Sequence, residues 1–158
     1  MLRSVISSLV LNRLDYCISV HAGLPASSLK RLQRILHASA RLVFGARKRD
    51  HVHPLLHDLG WLSIRDRIDR RLATLVFLCR KGLAPSYLSE EVVHAADLPG
   101  RACLRSSISN RLFIPRFRRP TFGGRTFGLT AARAWNRLPS HITSDFNKNE
   151  SFKALLKL

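Results

Sequence analysis

Apolar side chains recur every three or four residues over much of the chain, and this spacing predicts amphipathic helices. The clearest case is residues 27–44, whose apolar face consists of Leu29, Leu32, Leu36, Ser39, Ala40 and Val43. Ser27 or Ser28 can cap the start of this helix, and Gly45 is a typical residue for its end. The opposite face carries Lys30, Arg31, Arg34, His37 and Arg41.

The same spacing predicts helices before and after this one. A helix over residues 2–20 has an apolar face made of Val5, Ile6, Leu9, Val10, Leu14 and Cys17. Pro54 fits the first turn of a short helix that ends near residues 59–60. Ser63 and Asp66 resemble a capping box at the start of a further helix that runs to about Lys81. Its apolar stripe is Ile64, Ile68, Leu72, Leu75 and Cys79.

The composition of the sequence changes after Asp97. No acidic residue occurs from Leu98 to Ser144, although this stretch holds nine arginines. The segment LFIPRF is strand-like, but its proline fits an edge strand or extended segment. The segment LTAARAWNRLP predicts a short helix that ends at Pro139. We therefore expect a mainly α fold with two regions, several amphipathic helices over 1–97 and an irregular basic C-terminal third over 98–158 with one or two short strands.

The composition combines a large positive charge with enough apolar residues to fold. The chain has 158 residues, a formal charge of +17 and 46% hydrophobic residues, which excludes a disordered polycation. No stretch is long and apolar enough to predict a membrane span, so no membrane partner is expected. Three cysteines at long spacings indicate a reducing, intracellular compartment, the nucleus or the cytoplasm.

The excess of arginine over lysine indicates an RNA or DNA backbone as the partner, because guanidinium groups bind phosphate in a bidentate manner. An arginine-rich surface that only reflects a GC-rich gene, or a helix whose charged side merely stays in water, would give the same pattern. The candidate phosphate contacts are Lys30, Arg31, Arg34, Arg41, Arg47, Lys48 and Arg49, with Arg116, Arg118, Arg119 and Arg125 in the later region.

Phenylalanines alternate with the arginines of the later region, at Phe113, Phe117, Phe122 and Phe127. Aromatic rings interleaved with guanidinium groups can hold unpaired bases beside the phosphate backbone. The same rings are equally suited to form the apolar core of a region that has no acidic residues. The sequence leaves both interpretations open.

The residues that carry catalytic or metal chemistry in other proteins do not form a recognisable site. His51, His53 and His57 have no cysteine near them in sequence, and Arg47–Arg49 would repel a cation. The ten acidic residues are scattered, and Asp66 and Asp69 are interpreted as salt-bridge partners of the neighbouring arginines. There is no phosphate-binding glycine loop and no G-x-S-x-G motif. We therefore predict no cofactor, no metal site, no catalytic residue and no enzymatic activity of this chain on its own.

Six ordered segments resemble one family. They are LNRLDYCISVHAGLP, LKRLQRILHASARLVFGARKRDHVHPLLHDLGWLSIRDRID, LAPSYLSE, RACLRSS, FGGRTFGLTAARAWNRLP and SFKALLKL. In this order they are similar to the region that follows the polymerase palm in non-LTR (LINE-like, jockey-type) retrotransposon reverse transcriptases. The resemblance runs from about Leu11 to the last residue.

The resemblance implies a role without a catalytic centre. Full-length members of the family are endonucleases and RNA-directed DNA polymerases, and their Tyr-x-Asp-Asp motif lies upstream of the matched region and is absent from this sequence. The resemblance implies that residues 1–97 form a thumb-like helical region, followed by a C-terminal extension, and that the chain grips template, primer or element RNA.

The resemblance also implies a truncated fragment of the polymerase. Apolar faces of residues 2–20 and 64–79 that pack on the missing polymerase core would then be uncovered and would favour self-association. The alternative is a basic structural protein of a ribonucleoprotein, such as a mitochondrial ribosomal subunit.

Overall fold

The chain is mainly helical, as the hydrophobic spacing predicts. A computed structural model describes residues 2–98, 110–115 and 124–144. The chain forms two compact units, unit 1 (Met1–Ile68) and unit 2 (Asp69–Leu158). The boundary between them falls inside a long helix, whereas the division predicted at residues 97–98 was based on charge and composition and stays a prediction.

Unit 1 begins with a helical stretch that is shorter and less regular than predicted. It consists of α1 (Leu2–Ile6), a π-helical turn (Ser7–Leu11) and α2 (Asn12–Asp15), and a separate 3-10 turn covers Ile18–His21. The single helix predicted over 2–20 is therefore wrong, because Cys17 adopts the left-handed conformation with φ of 50°. Of the predicted apolar face, Ile6 is buried, while Val5, Leu9 and Cys17 are exposed.

The long helix α3 (Ala26–Phe44) confirms the strongest periodic pattern in the sequence. Leu36, Ser39 and Ala40 are buried on its predicted apolar face. Gly45 follows in the left-handed conformation, and its backbone N–H reaches back to the last turn, as expected for a helix terminator. The predicted cap is wrong, because Pro25 occupies the N-cap position and places both serines inside the first turn.

Two further helices complete unit 1 and lead into unit 2. Helix α4 (His53–Leu59) has Pro54 in its first turn and ends at Gly60, as predicted. Helix α5 (Ile64–Arg80) begins at a capping interaction in which the Asp66 backbone N–H donates to the Ser63 hydroxyl at 3.2 Å. The Ser63 hydroxyl in turn donates to the Asp66 carboxylate at 2.6 Å. Ser63 and Asp66 therefore bond each other reciprocally at the start of α5.

The cap at Ser63 gives a direct stability prediction. Ser63→Ala removes the oxygen that accepts the Asp66 N–H, one of the donors at a helix start that no helical carbonyl can satisfy. We expect the free energy of unfolding to fall by about 1 kcal/mol. Urea unfolding measures this loss, and Ser63→Thr, which keeps the hydroxyl, should retain most of the stability. Equal losses in the two variants would contradict a capping role.

The salt bridges differ from the local pairs predicted along α5. Arg67 forms a bidentate pair with Asp15, at 2.8 and 2.7 Å. Asp69 pairs with Arg137 at 3.1 Å within unit 2. The predicted local pairing is wrong because residues distant in sequence compete successfully for these side chains.

Unit 2 is built on the second half of α5 together with α6 (Ser86–Ser89), α7 (Phe127–Asn136) and α8 (Ser140–Ser144). Its core contains Ala73, Val76 and Phe77 of α5, Ala131, Ala132 and Trp135 of α7, Ile142 of α8, and Leu112, which lies outside the helices. The Arg80 guanidinium lies 5.6 Å from the centre of the Trp135 ring. Burial lowers the pKa of Arg80 to about 10, while Asp97 opposes this shift.

An extended segment of unit 2, residues 111–113, is joined to residues 93–95 by backbone hydrogen bonds. His94 and Leu112 form an antiparallel bridge, the only strand-type pairing within residues 2–98, 110–115 and 124–144. Of the strand-like segment LFIPRF, residues 112–115 lie within these ranges and contain this bridge only, so the predicted short strands are not confirmed. Residues 116–117 lie outside the described residues. None of the helices in these ranges is both long enough and apolar enough to cross a membrane.

The apolar stripe of α5, predicted to be uncovered, is instead largely buried. Ile64, Ile68, Leu72 and Cys79 are at most 7% exposed. That part of the expectation is wrong, because the chain itself buries these side chains. In the first helical stretch Leu2, Val5 and Leu9 are exposed, in agreement with the expectation for residues 2–20. The expected self-association stays a prediction.

Candidate nucleic-acid interface

One side of α3 carries an exposed row of cations. Residues 26–53 contain seven basic residues and one acidic residue, Asp50. Lys30, Arg31 and Arg34 are exposed. At 100° per residue, Lys30, Arg34 and Arg41 follow one stripe, which extends about 16 Å along the helix axis at 1.5 Å per residue. This length corresponds to about five phosphates of one strand of a duplex, which rises about 3.4 Å per phosphate along its axis.

A tight basic turn follows α3. The Arg47 backbone N–H donates to the Asp50 carboxylate at 2.6 Å, and the Asp50 N–H donates to the Arg47 carbonyl at 3.1 Å. These bonds close the turn and leave the side chains of Arg47, Lys48 and Arg49 exposed. The Asp50 carboxylate is bonded to backbone, and no basic side chain of the described residues forms a salt bridge with it.

Arg41 joins the helix to this turn. Its Nη2 donates to the Asp50 carbonyl at 3.2 Å, and the residue is half-buried. Its Nε is buried and has no hydrogen-bond acceptor within the described part of the chain. Within residues 2–98, 110–115 and 124–144, Arg41 is the one predicted contact of unit 1 whose guanidinium has a hydrogen-bond partner, and this bond holds the turn at the end of the basic stripe.

The exposed cations of this surface have no acidic partner in the part of the chain that the structure describes. Among the described residues, Lys30, Arg31, Arg34, Arg47, Lys48 and Arg49 have no carboxylate within salt-bridge distance. Arg67 and Arg137, by contrast, each have one. We call these six residues together with Arg41 the α3 basic surface. It brings together all seven candidate contacts that the sequence predicts before residue 50.

Two side chains next to this surface were missed as functional candidates. His37 lies on α3 one turn before Arg41, and its Nε2 is 2.7 Å from Gln33 Nε2. Burial, then Arg41, then His53 lower the pKa of His37 below its ordinary value. A Gln and a His four residues apart on one helix are the only sequence signal for this contact.

The candidates of the later region are only partly described. Arg125 is exposed and lies just before α7 in unit 2. Arg116, Arg118 and Arg119 lie outside the described residues, as do Phe117 and Phe122. Phe127 packs against the unit 2 core, which favours the core interpretation for this residue. Phe113 is half-buried, and its backbone N–H donates to Val93 at 2.8 Å.

The histidines of residues 51–57 do not assemble a metal site in this structure. All three are exposed, and the His57 Nδ1 lies 3.7 Å from an Asp58 carboxylate oxygen. Within the part of the chain that the structure describes, no three His, Cys, Asp or Glu side chains are grouped so that they could hold an ion.

Comparison of the sequence with models of known families found no match, and comparisons with curated proteins and with solved structures found none either. The arrangement of charge on unit 1 therefore carries the functional argument.

Proposed function

We propose that this chain binds the phosphate backbone of RNA or DNA through the α3 basic surface. We propose further that it is a truncated C-terminal fragment of a non-LTR retrotransposon reverse transcriptase, covering the region after the polymerase palm, with no catalytic centre of its own. In this proposal residues 98–158 form a basic extension with one or two short strands, and the protein acts in the nucleus or the cytoplasm. The six ordered segments that resemble this family support the second part.

The observation that carries the binding proposal is the group of basic side chains on α3 and the following turn that have no carboxylate partner among the described residues. Lys30 and Arg34 are four residues apart on α3, and like charges at this spacing destabilise a helix by about 0.2–0.5 kcal/mol per pair. Lys48 and Arg49 are adjacent in a turn that backbone hydrogen bonds hold closed. A polyanion relieves both repulsions, whereas a surface that is merely solvated leaves them in place.

This geometry favours contact with the backbone over the reading of sequence. Arginine and lysine side chains on the outside of a helix can follow phosphates, and such contacts position a protein without specifying bases. Each neutralised phosphate of a single strand contributes about −0.7 to the slope of log K against log salt, so six contacts predict a slope of about −4.

The test replaces three exposed cations of α3. Lys30→Gln, Arg31→Gln and Arg34→Gln in one variant should reduce the magnitude of the salt slope by about 2 and lower the affinity for a single-stranded RNA on the order of 100-fold at low salt. Fluorescence anisotropy with a labelled oligonucleotide of mixed sequence, at several salt concentrations, measures both quantities.

The matched control makes the same change of charge elsewhere. Arg13, Arg65 and Arg71 are exposed, and replacing all three by Gln also removes three positive charges. This control should keep the salt slope of the original protein. Equal losses in the two variants would show that net charge alone governs binding, and an affinity that does not change with salt would contradict backbone binding altogether.

A further inference from the structure

A chain of two hydrogen bonds connects α3 to the first residue of α5. The backbone N–H of Ile64 donates to Gln33 Oε1 at 2.8 Å. The other end of the same side-chain amide, Gln33 Nε2, lies 2.7 Å from His37 Nε2. Gln33 therefore bridges a helix start and a histidine ring within unit 1.

The direction of both bonds follows from the chemistry of the partners. A backbone N–H can only donate, so the Gln33 atom facing Ile64 is the amide oxygen. The opposite amide atom is then the NH2 group, which can only donate to the ring. His37 Nε2 is consequently an acceptor and carries no proton, and the neutral ring holds its proton on Nδ1.

The Ile64 N–H depends on this bridge. Ile64 is the first residue of α5, where backbone donors have no partner inside the helix, and it is only 1% exposed. The charged groups that act on the His37 ring are Arg41 on α3 and His53 at the start of α4. From α5 the contact is the uncharged Ile64 N–H, reached through Gln33.

We propose that Ile64, Gln33 and His37 form an acid-sensitive latch, which holds the start of α5 on α3 and opens when His37 Nε2 takes up a proton from solvent. The protonated ring then presents an N–H to the amide NH2 group, so the bond between them is lost. A rotation of the amide restores that bond, with the oxygen turned towards His37, but it places the NH2 group against the Ile64 N–H. One of the two hydrogen bonds is lost in either arrangement.

The pH window follows from the direction of the shift in pKa. The folded protein holds the pKa of His37 below the ordinary value of 6.5, so the unfolded chain takes up the proton first as the pH falls. The stability that the latch contributes is complete above about pH 6.5 and decreases as the pH falls from there through the folded pKa. Neighbouring Arg41 and His53 strengthen this effect, because both disfavour a positive ring.

The test uses residue-specific NMR on the full chain. At pH 7.5 the nitrogen shifts of the His37 ring should show a protonated Nδ1 and an unprotonated Nε2. Titration to lower pH should reduce the exchange protection of the Ile64 amide about tenfold or more, with the same midpoint as His37 protonation. A ring protonated on Nε2 at pH 7.5, or protection of Ile64 that is constant through the His37 titration, would overturn the proposal.

A variant with the opposite expected response sharpens the test. In Gln33→Glu the carboxylate can accept from both the Ile64 N–H and a protonated His37. The pKa of His37 should then rise by about one unit or more, a tenfold gain in proton affinity, and Ile64 should stay protected to lower pH. An unchanged or lower pKa of His37 in this variant counts against the latch.

The control removes a histidine that has no part in the latch. The His57 side chain is 93% exposed, and His57→Gln should leave the pH profile of Ile64 unchanged. Global unfolding is unsuitable as the readout, because burial and Arg80 also lower the pKa of His94 in unit 2, against the opposing effect of Asp97. Dependence of Ile64 protection on His57 would contradict the assignment to His37.

Discussion

Asn136→Ala is expected to destabilise unit 2 by about 3 kcal/mol, since it leaves two buried backbone groups without a partner at about 1–3 kcal/mol each. The Leu112 N–H donates to Asn136 Oδ1 at 2.9 Å, and Asn136 Nδ2 donates to the Leu112 carbonyl at 2.9 Å. Leu112 is 3% exposed, so its backbone groups have little access to water that could replace these bonds. The side-chain amide takes the place that a neighbouring strand would have in a sheet.

The surroundings of Leu112 explain why this one amide matters. On the opposite edge of the segment, the Phe113 N–H donates to Val93 at 2.8 Å and the Ala95 N–H donates to Arg111 at 3.1 Å. Hydrogen-bonding groups of successive residues point to opposite edges of an extended chain, so residues 93–95 satisfy one edge and Asn136 satisfies the other. The segment is thereby paired on both sides, although the described residues contain only a single bridge.

Urea unfolding followed through the NMR signals of unit 2 measures the loss at Asn136. The matched control is Asn12→Ala, because Asn12 is an exposed asparagine in α2 whose side chain has no hydrogen bond among the described residues. We expect the control to change stability by less than about 0.5 kcal/mol. A loss at Asn136 no larger than that of the control would contradict its role as a substitute strand.

Elements with local start and stop signals were predictable from the sequence. The period of α3 and the glycine after it gave the correct helix, and Pro54 and Gly60 delimited α4. Pro139 likewise follows the end of α7 closely. In these segments the backbone conformation is decided by residues within a few positions, so periodicity and turn chemistry are sufficient.

Elements decided by distant contacts were not predictable. Nothing near Cys17 signals the left-handed conformation that ends the first helical stretch, since no glycine or proline occurs there. Asp15, directly before this break, is instead bonded by Arg67, which is 52 residues away in sequence. Likewise, Phe77 of α5 lies outside the predicted stripe and belongs to the unit 2 core with Leu112 and Trp135, which no periodic pattern of α5 could reveal.

The candidate interface also combines features that local sequence decides with features that distant contacts decide. Exposure of Lys30, Arg31 and Arg34 follows from their place opposite the apolar face of α3, and the sequence alone indicates it. The hydrogen bond from Arg41 to Asp50 depends on how residues 45–64 fold back on α3. The same holds for the Gln33–His37 contact, because Gln33 also bonds Ile64. The exposed positions of the cations are therefore predictable from the sequence, whereas the hydrogen bonds of Arg41 and His37 required the structure.

Gly128→Ala is expected to destabilise unit 2 by about 1–3 kcal/mol, as other substitutions do that force additional atoms into a filled space. Gly128 is the second residue of α7 and is buried. A Cβ atom at this position would lie 2.7 Å from the backbone carbonyl oxygen of Glu91 and 3.0 Å from its Oε2. The carbonyl belongs to the main chain that leads into the bridge at His94, so it cannot move aside as a flexible side chain would.

Whether Gly128→Ala lowers or raises the stability distinguishes a close contact at this position from an ordinary helical position. At an ordinary helical position the same substitution stabilises a protein by about 0.5–1 kcal/mol, because alanine loses less conformational freedom than glycine. Glu91→Ala tests which atom is responsible, since it removes the carboxylate and keeps the carbonyl. We expect the double variant to be no more stable than Gly128→Ala, as measured by urea unfolding. Restored stability in the double variant would assign the clash to the side chain, and a stabilising Gly128→Ala would show that α7 does not approach Glu91 this closely.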